Sequence, residues 1–109
     1  MLDKQTKPLE IAQAVLKPET IQAIKAAQFS NQAYLILDRW AMNTPETLKA
    51  LEKKGELSLI VRLDQQHTLE HRTLISDSAR IASQTGMSDW EILQEAGIEM
   101  NLLTTELLH

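Results

Sequence analysis

The sequence predicts an all-α fold, a compact bundle of five or six short helices, and three observations carry that expectation. Apolar residues recur at intervals of three and four along most of the chain, the spacing of amphipathic helices. The punctuation is helical too. Pro8, Pro18 and Pro45 lead into early glutamates, while Gly55, Gly86 and Gly97 follow apolar-periodic stretches. Finally, only the run LSLIVRL (57–63) alternates like a strand, and a strand without a partner leaves its backbone groups unsatisfied.

The elements follow in order. Residues 1–7 are expected to be flexible. Helix formation is expected over 8–16, stopping before Pro18. A long central helix is expected over 18–42, with a small-residue stripe from Ala23 to Ala41 and a possible interruption at Phe29-Ser30-Asn31. Nearly every position from Ala33 to Ala41 is apolar, which predicts burial on several sides with Trp40 as the anchor. A helix over 45–54 has Thr44 in place to cap it and Gly55 to close it. The ambiguous 57–63 run is assigned to a helix from 56 towards 74, and Ser76-Asp77-Ser78 starts another. Ser88 with Glu91 three residues later forms a capping box for the last helix. An apolar tail over 98–109 closes the chain, and either packs back or meets another molecule.

At 109 residues the chain is expected to form a single α-helical domain over 1–109. Absence of cysteine excludes disulfides, thiolate zinc sites and cysteine nucleophiles. The start, MLDKQTKPLE, lacks the apolar core of a secretory signal, and the longest apolar run, AYLIL (33–37), is too short for a bilayer. A cytoplasmic protein without membrane attachment is the expectation. The net charge of −4 is divided unevenly: residues 1–55 hold eight Lys/Arg against six Asp/Glu, and residues 56–109 hold three against nine. The second half is therefore a poor match for phosphates.

One motif stands out. In IASQTGMSDWEIL (81–93), Ala82 is small enough for close helix approach, Gly86 suits a tight turn, and Ile92 suits an apolar anchor. Over about twenty residues, these places resemble those of the bacterial helix-turn-helix family. The resemblance implies a helix-turn-helix-like element near 76–97 in which Ser88, Asp89, Trp90 and Gln94 would face bases. The sequence departs from that pattern by placing Glu95 where an apolar residue is common. The helix after the turn carries Asp89, Glu91 and Glu95 with no lysine or arginine.

Asp64, His67 and His71 have spacings of three and four, which put them on one helical face. They are weak candidates for a metal site, with no fourth ligand apparent and a hydrogen-bonded pair on Asp64 or Glu70 as the simpler reading. No glycine-rich phosphate loop or nucleophile motif occurs. No catalytic or cofactor-binding residue is therefore assigned, and no enzyme activity is expected. The expected function is that of a small adaptor or regulator acting through protein–protein contacts, with another protein or a second copy as partner and a homodimer favoured. The residues assigned to that contact are Asp89, Trp90, Glu91 and Glu95 on the acidic helix, with Leu103 and Leu107 in the tail. A helix-turn-helix transcription regulator is the alternative, disfavoured by the acidic charge.

Overall fold

In the computed structural model, which describes residues 8–103, no strand occurs among those residues. The helices are α1 (Glu10–Val15), α2 (Pro18–Ala26), α3 (Asn31–Asn43), α4 (Pro45–Lys53), α5 (Glu56–Leu74), α6 (Asp77–Gln84) and α7 (Asp89–Glu95). The all-α expectation is met. The number of helices exceeds five or six because the long 18–42 helix is two. α2 ends at Ala26, Gln28 adopts a left-handed φ of 60°, and Ser30 opens α3 by accepting a hydrogen bond from the Ala33 amide at 3.4 Å. Short polar side chains compete for the backbone in this way, which favours caps over helix interiors. The LSLIVRL run lies wholly inside α5.

The helix ends follow their local chemistry. Ser88 and Glu91 form the expected reciprocal capping box on α7. α6 closes through Gly86, whose φ of +99° is open to glycine at little cost. Its amide bonds the Ser83 carbonyl at 3.0 Å, and the Met87 amide reaches the Ala82 carbonyl at 3.1 Å. Thr44 sits at the start of α4, but its hydroxyl donates to the Trp40 carbonyl at 3.2 Å. It therefore satisfies the end of α3 and caps nothing on α4.

The body is flat, 42 × 39 × 23 Å, and its thin dimension is room for two helix diameters of about 10 Å. α3 packs against α1, α4 and α5, while the long α5 touches α2, α3, α4, α6 and α7. Trp40 is fully buried, as expected, among Ile24, Leu37, Leu48, Leu59 and Leu63. The core cluster takes in Leu102 from the tail but no residue of α6 or α7. Those two helices pack on the C-terminal part of α5 and on each other. Among the described residues no helix is long and apolar enough to cross a membrane.

Asp38 explains how α1 is held. It is buried in the middle of the apolar face of α3, where a carboxylate needs partners. Its two oxygens accept from the Leu9 amide at 2.8 Å and the Ala12 amide at 2.9 Å. α1 has no cap from its own residues, so a side chain of another helix supplies one. Leu9, with a left-handed φ of 70°, is kept in that strained conformation by the same contact. Replacing the carboxylate leaves two buried amides without acceptors. Asp38→Ala is expected to cost about 3 kcal/mol. Thermal or urea unfolding followed by circular dichroism measures it, and a midpoint equal to the parent's would contradict this role.

Candidate functional site

The buried stripe of α5 reads Leu59, Leu63, Gln66, Glu70, at spacings of four, three and four. Its first half is apolar and enters the core cluster. Its second half is polar, and this change of chemistry creates the site. The Gln66 side-chain amide donates to Glu70 Oε2 at 2.6 Å and to the Glu99 carbonyl at 2.9 Å. Glu70 also receives Arg39 of α3 in a two-pronged contact, Nη2 to Oε2 at 2.5 Å and Nη1 to Oε1 at 3.4 Å. Planar guanidinium suits that geometry where a lysine would not.

Arg39 does two more things. Its Nε donates to the Met100 carbonyl at 2.9 Å, a carbonyl that also accepts from the Trp40 indole at 3.1 Å. The segment 98–102 is thus a strap held by its backbone carbonyls, with Met100 and Leu102 buried beneath it. Its guanidinium also lies 5.9 Å from the ring centre of Trp90, within reach of a cation–π attraction. Trp90 of α7 is in this way brought against a residue of α3. It remains 43% exposed, so it does not close the core from the edge.

Beside the Arg39–Glu70 pair, α3, α5 and α7 enclose a cleft of about 220 Å³. Ile36, Leu74 and Leu93 give it apolar lining; Leu35 and Trp90 form its exposed lips, at 59% and 43% exposure. Asp89, His67 and His71 complete its polar edge. The cleft is smaller than typical pockets for whole small molecules, which start at about 300 Å³. It has room for one or two side chains.

Of the residues assigned to partner contact, Asp89 and Trp90 line this cleft. Glu91 is exposed next to them and engaged in the capping box. Glu95 lies on the other side of α7, lining a second cavity of about 240 Å³ shared with α6. Leu103 is 46% exposed after the strap, and Leu107 lies outside the described residues, as do 1–7. The tail is thus divided, since Met100 and Leu102 belong to the interior.

Asp64, His67 and His71 are not brought together. His67 and His71 face the cleft with ring centres 6.0 Å apart, whereas exposed Asp64 turns towards a groove with Gln65, Leu69 and Arg72. Asp64 and His71 are two helical turns apart, about 10 Å along the axis of α5, too far for one ion to reach both. Among the described residues no group of three possible ligands surrounds a common point. The half-buried His67 ring instead meets the Ser30 hydroxyl at 3.2 Å, and Glu70 bonds to Arg39 and Gln66 rather than to either histidine.

The motif residues Ala82, Met87 and Ile92 line the seam between α6 and α7, so they join two helices whichever ligand the surface takes. Sequence reading missed Arg39, Gln66, Leu35 and Met42. Arg39 and Glu70 are 31 positions apart, and nothing local marks them as partners. Leu35 was hidden inside an apolar run that looked uniformly interior, although α3 presents Leu35 and Met42 to the outside. No protein-family model, curated protein or solved structure matches the chain.

Removing the guanidinium leaves Glu70 buried without a cation and frees the Met100 carbonyl from one donor. Arg39→Ala is expected to lower stability by about 3 kcal/mol, and Arg39→Lys by less. Denaturant unfolding monitored by tryptophan emission checks both. Equal midpoints for parent and alanine variant would show that the strap is held by other means.

Proposed function

We propose that this protein is a small, non-catalytic adaptor or regulator of the cytoplasm that works by protein–protein contact through the face around Trp90. The single observation behind this reading is the half-exposed Trp90, lying against Arg39 at the mouth of a cleft sized for side chains. Tryptophan, arginine and methionine are enriched at the centres of protein interfaces, and Trp90, Arg39 and Met42 supply all three. An indole ring has only two side-chain torsions to lose on binding, which makes it an efficient anchor. Leu103 offers a second apolar contact where two copies of the chain could pair.

The alternative, a DNA-reading helix, draws on the α6–turn–α7 arrangement and the seat of Ile92. Charge works against it. α7 exposes Asp89, Glu91 and Glu95, and the neighbouring Arg80 is engaged with Asp77 at 3.1 Å. Phosphates approaching that helix meet carboxylates.

A photo-crosslinking residue at position 90, compared with one at exposed position 19 on α2, tests the adaptor reading in extract of the native host. Adducts to a defined protein at position 90 alone, unchanged by nuclease, are the expected result. Adducts to nucleic acid would transfer the function to the alternative, and identical adduct patterns at both positions would remove the basis for the reading.

A further inference from the structure

The adaptor reading leaves open what kind of partner the cleft takes, and the geometry points to a basic amphipathic helix of another protein. The inference rests on that reading and adds the chemistry of the occupant. Its first support is shape. The apolar surface does not stop at the cleft: Met42, 63% exposed, lies seven residues after Leu35 on the outer face of α3. Seven residues span two helical turns, so the stripe runs about 10 Å along α3. An elongated occupant presenting apolar side chains one or two turns apart fits such a stripe, and a compact ligand does not. Helices laid into grooves use that spacing for their anchors.

The second support is charge complementarity. The cleft lip carries Asp89, and Glu91 is exposed one residue after Trp90. No lysine occurs after Lys54. Arg39, the cation of the cleft, has its charge met by Glu70 and its face turned to Trp90. What remains to be neutralised is negative, so lysines or arginines flanking the apolar anchors of a partner complete the surface. A second copy seated by the same face would bring two acidic borders together, which disfavours a symmetric pair through this surface. One leucine or phenylalanine of the partner would enter between Leu35 and Trp90, a second would lie on Met42, and basic residues would reach Asp89 and Glu91.

The test uses the full chain and three labelled synthetic peptides: a helix with a leucine face and a lysine-rich face, the same helix with glutamate for lysine, and a shuffled lysine peptide. Fluorescence anisotropy is read for the parent, Trp90→Ala and Leu35→Ser, with circular dichroism to confirm that each variant is folded. The expected result is binding of the amphipathic lysine helix alone, weakened about tenfold by either substitution and weakened by added salt. Equal or tighter binding of the glutamate or shuffled peptide overturns the inference. So does binding of the lysine helix that is unaffected by both substitutions. Dimerisation of the parent that is abolished by Leu35→Ser would assign the face to a second copy and overturn it likewise. Position-90 protein adducts together with no peptide binding would leave the adaptor reading standing and remove only the basic helix. Absence of both removes the two together.

Discussion

The structure depends on three consecutive residues of α3, Asp38, Arg39 and Trp40. Successive side chains on a helix point about 100° apart, so three in a row can address three neighbours at once. Asp38 receives the amides at the start of α1, Arg39 joins Glu70 of α5 and the strap, and Trp40 fills the core while bonding the same strap carbonyl. All three tasks are polar contacts made at or near the interior, where leaving a partner out is costly. Moving α3 by a fraction of a turn would break them together. That shared dependence sets the register of α1, α5 and the 98–102 segment on one helix.

The candidate site is a by-product of this arrangement. Glu70 and Gln66 occupy places on α5 that would otherwise carry leucines, and their satisfaction requires Arg39 and the carbonyls of Glu99 and Met100. Once Arg39 is committed there, its guanidinium lies close to α7, and Trp90 settles against it. The same residue thus couples a buried ion pair to a surface aromatic ring. Arg62 has a comparable position over Trp40, 5.3 Å from its ring centre, so each tryptophan of the chain carries an arginine.

Much of this is legible in the sequence, and the reasons differ from one element to the next. Ser88 with Glu91 announced α7 because a capping box is local chemistry, contained in four residues. The extent of α5 was legible from the absence of any second strand, and Trp40 from the apolar density around it. The break after α2 is less legible, since it turns on Gln28 entering a left-handed conformation that its side chain does not advertise. Asp38 stood as a carboxylate inside an apolar stretch, a visible sign that something had to meet it, but its partners in α1 are 26 and 29 residues away. Long-range pairing of that kind leaves no periodic trace. For Asp64, His67 and His71, a shared face read from spacing says nothing of the axial distance, about 10 Å over seven residues, that keeps Asp64 from His71.

The exclusion of α6 and α7 from the main core cluster bears on how this protein can change over generations. Substitutions in that annex are felt chiefly by the few residues it touches, and effects of well-separated sites are close to additive. Exposed positions of α6 and α7 can therefore change with little effect on that cluster, whereas Trp90 stays tied to the interior through Arg39.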